Sequence, residues 1–190
     1  MTGRIEQLKK EYEIDVCWRA FPLHPETPEE GTLLEDLFSG FSSQDLKTMK
    51  DRLKKAADEA GLPLGDRMKT FNSSLAQELG KWAETKDKGD PFHFAVFRAF
   101  FADGINIAKI SALMDITASV GLSRDEAEEV ISYRTFKADV DKDWSLASEK
   151  GITAVPTFVM NNARLVGTQP YEMLERLMEE KGVKKRSYEL

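Results

Sequence analysis

Residues 151–180 read GITAVPTFVMNNARLVGTQPYEMLERLMEE, and this stretch decides the fold. TFVM, Thr157 to Met160, is a run of residues that favour extended backbone. NNA, Asn161 to Ala163, follows as a hairpin turn, since asparagine tolerates positive φ. RLVG, Arg164 to Gly167, is the predicted return strand. From Pro170 onward Tyr171, Leu174, Leu177 and Met178 recur at helical spacing, and Gly182 marks the end of that helix. Pro156 stands directly before the first strand. Proline has no N–H to give a ladder and is tolerated at a strand's first position. Two readings follow: a trans proline opening an edge strand, or a cis Val155–Pro156 peptide kept for its shape.

Upstream the pattern differs. Ile5, Leu8 and Tyr12 are spaced three and four apart among lysines and glutamates, which predicts a short amphipathic helix. It begins almost at Met1, and Met1 to Gly3 leave little room for a cap. IDVCWRAFPL, Ile14 to Leu23, alternates and is rich in β-favouring residues, so a strand is predicted. HPETPEEG, His24 to Gly31, is a proline-broken loop. From Leu33 to about Lys150 nearly everything reads as helix. Leu46, Met49, Leu53, Ala56, Ala57 and Ala60 form one stripe, which Gly61 stops. Ser73 is a candidate cap for a helix carrying Leu75, Leu79 and Trp82. Pro91 suits a first turn before Phe94, Phe97, Phe100 and Phe101. Ile107, Ile110, Leu113, Met114 and Ile116 continue the pattern to Gly121. Ser123 and Glu126 form a capping box before Ala127, Val130 and Ile131. Val140, Trp144 and Ala147 mark a last helix that ends at Gly151. The two ends read as one α/β layer and the middle as a helical block.

Composition narrows the class. Hydrophobic residues make up 41% and charged residues 32% of the 190, which suits a globular protein rather than a disordered one. A net charge of −6 argues against a broad nucleic-acid-binding surface. The basic tail, Lys181 to Leu190, reads as a solvated extension. Cys17 is the single cysteine, so no internal disulfide forms. No run is apolar enough to span a bilayer or to serve as a signal peptide, and a cytoplasmic protein is the simplest expectation.

V-P-T before a hairpin, then G-T-Q-P-Y-E-x-L from Gly167 to Leu174, resembles the end of a DsbA-like thioredoxin domain, and more narrowly its FrnE-like branch. WRAFPLHPETPEEG (Trp18 to Gly31) resembles the second strand and following loop of that branch. NSSLAQELGKWAE (Asn72 to Glu84) and FRAFFADGINIAK (Phe97 to Lys109) resemble its helical insertion. The resemblance implies an α/β thioredoxin-like fold with a large all-helical insertion and the N-terminal strand missing. The thioredoxin-like domain would comprise residues 1–31 and 151–190, and the insertion residues 32–150. It also implies a cis Val155–Pro156 bond. The Val155 backbone, with Pro156 and Thr157, would pair with an extended peptide or with glutathione. Thr168 and Gln169, before the last helix, would meet a carboxylate. The implied partners are thiol- or disulfide-bearing proteins or small molecules. Glutathione would enter as substrate or co-substrate, and no cofactor, metal, membrane or nucleic acid is expected.

Members of that family carry C-x-x-C at the N-terminus of their first helix, where the helix end lowers the thiol pKa. This sequence has no C-x-x-C, so no catalytic residue is assigned and redox inactivity is expected. Met1 is expected to be an internal methionine of a longer protein; the rival is a member that has lost its redox centre. In the family the missing strand lies between the early strand and the hairpin, and an unpaired buried backbone group costs about 1–3 kcal/mol. Strand sharing in a homodimer is therefore expected.

Other chemistry-bearing residues read blandly. Cys17 is expected to be a buried or half-buried small hydrophobe. His24 and His93 lack partners at ligand spacing. His93 follows Asp90 and Phe92, and a structural role outweighs that of a general base. Asp139, Asp141 and Asp143 share the spacing of a calcium loop but lack its glycine and distal glutamate, so they read as helical surface charge. Phe92, Phe94, Phe97, Phe100 and Phe101 read as core of the helical block, with a few of them also expected to line the groove that faces the family's active site. Three functions remain: a DsbA-like thiol–disulfide oxidoreductase, a glutathione-dependent isomerase or transferase resembling 2-hydroxychromene-2-carboxylate isomerase and kappa-class glutathione transferase, and a non-catalytic peptide-binding module at Val155–Pro156.

Overall fold

The computed structural model describes residues 2–59 and 61–187. Met1 and Ala60, which the sequence placed at a helix start and in an apolar stripe, lie outside the described residues, as do the last three residues of the tail.

Helix α1 (Thr2–Glu11) presents Ile5 and Leu8 to the interior, and Tyr12 follows them into full burial. Over its described residues the basic tail stays exposed but is tied back to α1. Tyr12 and Lys185 form an antiparallel bridge. The Arg186 N–H donates to Glu11 O at 2.8 Å. Its Nε donates to Lys9 O and Tyr12 O at 3.0 Å each. A cation thus meets the last carbonyls of α1, where the helix dipole favours it.

Residues 13–23 correct the expectation of a strand, for they form no ladder. Their backbone groups are met by side chains of later helices. Gln77 donates to Phe21 O at 3.1 Å, Lys81 donates to Trp18 O at 3.1 Å, and Ala20 N–H donates to Asp143 at 3.0 Å. The loop that follows is clamped by two asparagines: Asn72 donates to Pro25 O and Thr27 O, and Asn106 to Glu29 O. Gly31 closes it at φ 78°, and a Cβ there would lie 2.5 Å from Phe71 and from Thr70 O.

The middle of the chain is helical with one exception. Two short strands, β1 (Thr32–Leu33) and β2 (Lys69–Thr70), pair antiparallel where only helix was expected. After α2 (Leu34–Leu37) comes α3 (Ser43–Glu59), begun by a reciprocal Ser42–Asp45 pair. Its apolar stripe is uncovered: no residue of α3 is buried, and Leu53 is 51% exposed. Helices α4 (Ser74–Glu84), α5 (Gly89–Phe101), α6 (Ile110–Ser119), α7 (Arg124–Tyr133) and α8 (Lys137–Glu149) make the compact part. Leu79, Phe92, Leu113 and Ala127 are fully buried at its centre. Burying each large side chain stabilises by about 1.5–3 kcal/mol. Asn72 caps α4, accepting from Ser74 N–H at 2.9 Å, in place of the expected Ser73. Ser123 caps α7 as expected. Arg134, in left-handed conformation at the end of α7, forks onto the buried Glu78 carboxylate of α4.

Of the five phenylalanines expected as core, only Phe92 is fully enclosed; Phe97 and Phe101 are 37% and 38% exposed. Cys17, expected to be buried or half-buried, is exposed.

The C-terminal stretch matches its reading closely. Strands β3 (Thr157–Met160) and β4 (Ala163–Val166) pair antiparallel from Thr157–Val166 to Met160–Ala163. The return strand starts at Ala163, one residue early, because Asn161 at φ 52° closes a two-residue turn. Phe158, Met160, Ala163 and Leu165 pack on a second cluster formed by Leu8, Tyr12, Leu174, Leu177 and Met178. The last three come from α9 (Tyr171–Glu180), which lies against α1.

Candidate functional site

The residues singled out in VPT and GTQ come together at one end of the hairpin. The Val155–Pro156 peptide is cis. Pro156 O accepts from Gly167 N–H at 2.8 Å, which carries the β3–β4 pairing one step beyond the ladder. Thr168 and Gln169 therefore leave β4 beside the start of β3. Thr157 Oγ1 donates to Ala154 O at 2.6 Å and fixes the turn into the strand. Val155, 43% exposed, stands open at this corner. On its other side β3 has no partner strand among the described residues.

The two residues before α9 are not equivalent. Thr168 is exposed, whereas Gln169 turns its side chain back to donate to Val166 O at 2.6 Å. Gln169 O also accepts from the Arg4 guanidinium at 2.7 Å, tying α1 to this corner. The corner is thus built from α1, β3, β4 and the entry to α9. Among the described residues it presents backbone groups, the Val155 side chain and the hydroxyls of Thr157 and Thr168, with no thiol. Chemically it can hold an extended segment by strand-like pairing.

A second constellation joins α1 and residues 17–21 to the helical block. Asp143 is 3% exposed and is no surface charge, unlike Asp139 and Asp141, which pair with Lys142 and Lys137 on the outside. Asp143 accepts from Arg19 at 2.9 Å and pairs with Lys81 at 2.7 Å. Burial pushes its carboxyl pKa up, but Lys81, the Ala20 N–H and Arg19 outweigh that and hold it below the usual carboxylate range. Asp90 repeats the pattern. Burial opposes its ionisation, and Lys9 with the Trp18 indole, which donates at 2.7 Å, overcomes it. His93 lies 3.4 Å from Glu84 and packs its ring 5.2 Å from that of Trp18. Each acid named here is engaged with a cation or donor, so the constellation fixes the segment's position. Sequence reading missed Asp143, Lys81 and Asp90 because their partners lie far away in the chain. His24 lies beside Glu26 in the exposed loop.

Cys17 is remote in kind from a dithiol site, being the only cysteine of the chain. Among the described residues, no group of three or more His, Cys, Asp or Glu side chains is gathered to hold a metal ion, and no helix is long and apolar enough to cross a membrane.

Comparisons with known proteins bear on the fold that carries this corner. Residues 1–179 match the model of the DSBA-like thioredoxin domain. The uncharacterized protein YwbO of Bacillus subtilis (strain 168) is 25% identical over 182 residues, 95% of this chain and 88% of that protein. The crystal structure of a probable DsbA oxidoreductase from Streptomyces coelicolor superposes with a TM-score of 0.86 at 21% identity, over 99% of this chain and 86% of that one. The structure of 2-hydroxychromene-2-carboxylate isomerase superposes at 0.70, also at 21% identity, over 95% of this chain and 86% of that one. At such identities the superpositions establish a DsbA-like thioredoxin fold, here mostly helical with few strands.

Proposed function

Because the chain belongs to the DSBA-like thioredoxin domain family, we propose that it serves thiol–disulfide chemistry as the substrate-holding part of a FrnE-like member. The carrying observation is the corner at Val155, Pro156 and Thr157, beside the side of β3 that has no partner strand among the described residues. An extended peptide flanking a cysteine, or glutathione, pairs there with the Val155 backbone in strand fashion. Thr168, and Gln169 through its backbone, lie where a ligand carboxylate would meet the start of α9. These 190 residues hold one cysteine, so no dithiol–disulfide cycle runs within them. The two hydrophobic clusters support a division into a thioredoxin-like part, residues 1–31 and 151–190, and a helical part, residues 32–150. The open hairpin also suits strand sharing between two copies of the chain.

Two measurements test this. An NMR titration with a cysteine-containing extended peptide, and separately with glutathione, is expected to move the amides of Val155, Thr157 and Phe158. Dithiothreitol-driven insulin reduction is expected to stay at background. Shifts confined to other parts of the chain, or reduction above background that Cys17→Ser abolishes, would overturn the reading.

A further inference from the structure

The net charge of −6 is an average over the chain, and it conceals a basic segment in α3. Between Leu46 and Ala57 stand Lys47, Lys50, Arg52, Lys54 and Lys55 against Asp51 alone, a local balance of +4. Lys50 is paired with Asp66, and Lys55 lies 3.9 Å from Glu59. Lys47, Arg52 and Lys54 are exposed and have no acidic partner among the described residues.

These cations are ordered around the apolar stripe. With about 100° between successive residues, Leu46, Met49 and Leu53 share one face with Ala56 and Ala57. Lys50, Lys54 and Lys47 border that face on one side and Arg52 on the other, while Asp51 and Asp58 lie opposite. Met49, Leu53 and, just before the helix, Phe41 are exposed, and no helix or strand packs extensively on α3. Cations at the border of an apolar face suit a half-immersed helix. Their stems stay on the apolar side, their charges reach surface phosphates, and the acids behind remain in water. A second copy would instead set one basic segment against another, which like charges oppose.

We propose that α3 docks on an anionic lipid surface, lying in the plane of the interface with Leu46, Met49 and Leu53 toward the acyl chains. Lys47, Lys54 and Arg52 meet the headgroup phosphates. A membrane partner was not expected from the sequence, but a surface helix needs neither a spanning segment nor a basic chain. The surface is separate from the hairpin corner and does not depend on its function.

Flotation of the full chain with vesicles of phosphatidylcholine alone, or in equal mixture with phosphatidylglycerol, tests this. The mixed vesicles are expected to bind at least about tenfold more tightly, since each cation near an anionic surface strengthens binding about fivefold. Salt that shortens the screening length from about 10 Å to about 3 Å should remove most of that preference. The double change Lys47→Gln, Lys54→Gln is expected to weaken binding to mixed vesicles about tenfold or more. Leu53→Gln, which takes an apolar side chain from the stripe, is expected to weaken it as well. All three residues are exposed, so unchanged urea midpoints are expected; where Leu53→Gln lowers the midpoint, Met49→Gln replaces it. A native chain that binds neither vesicle, or both equally, overturns the proposal. So does a doubly changed chain that floats like the native one, which would move the contact to the basic tail. Binding to polyglutamate without binding to mixed vesicles would assign the face to an acidic protein and overturn it too. A light-scattering dimer that Leu53→Gln dissociates would do the same by assigning the face to a second copy.

Discussion

Replacing Asp143 by alanine is expected to release residues 17–21 from the helical block. Asp143 and Lys81 are both shielded, with side chains 4% and 10% exposed, at 2.7 Å. Removing one member of a buried pair costs about 3–5 kcal/mol. Two facts reduce that figure. Lys81 keeps Trp18 O and Glu84, at 3.1 and 3.5 Å, so it is not left without partners. Arg19 has a side chain 57% exposed, and pairing of so open a cation adds only ~0–1 kcal/mol. The expected loss is therefore about 2–4 kcal/mol, a large part of the ~5–15 kcal/mol that holds a domain together. Urea unfolding followed by circular dichroism reads it as a midpoint lower by about 1–2 M at an unchanged slope. Hydrogen exchange at Ala20 N–H, which donates to Asp143, should accelerate in the same variant. The pH dependence gives an independent check. The folded Asp143 pKa is depressed, so its contribution is complete above the unfolded value of about 3.9 and disappears as pH falls through the lower folded value. The stability gap between native and Asp143→Asn chains should thus be constant near neutrality and close in acid. A loss under ~1 kcal/mol with unaltered exchange at Ala20 would refute the clamp.

Three further outcomes follow from other contacts. Arg134→Gly removes the fork onto buried Glu78 while suiting φ 52°. It should cost about 2–4 kcal/mol in urea unfolding, more than Glu78→Gln, which keeps one acceptor; the reverse order would refute the pairing. Gly31→Ala puts a Cβ 2.5 Å from Phe71 and Thr70 O at φ 78°; a loss of about 1–3 kcal/mol is expected, and a midpoint equal to the native one would show that β1 and β2 shift freely. The strand-shared dimer predicts a light-scattering mass of two chains that Val159→Lys, on the open face of β3, reduces to one; a monomeric native chain at high concentration refutes it.

Legibility in the sequence followed the range of the interactions. Leu174, Leu177 and Met178 announced α9 because a buried face repeats every three or four residues, and Asn161 announced the hairpin because left-handed backbone needs few residue types. The capping box at Ser123 was equally local. Residues 14–23 misled because side-chain alternation reports exposure, whereas a strand needs a neighbouring ladder. Here the acceptors and donors were Gln77, Lys81 and Asp143, tens of residues downstream. Asp143 itself was indistinguishable from Asp139 and Asp141, since only the fold brings Arg19 and Lys81 to one of the three. The hairpin corner was legible through its family motif.

The bonds of Arg186 to Lys9 and Tyr12, at the end of α1, span 177 and 174 residues. Closing so long a loop costs chain entropy before any contact compensates it. The helical block has no such delay, because α4 meets α5 and α6 meets α7 across short connections. Folding should accordingly run from the inside outward. The block is expected to condense first and the clasp between the chain's two ends to close last, which pulsed hydrogen exchange would show as protection of Leu79 and Leu113 before that of Arg186.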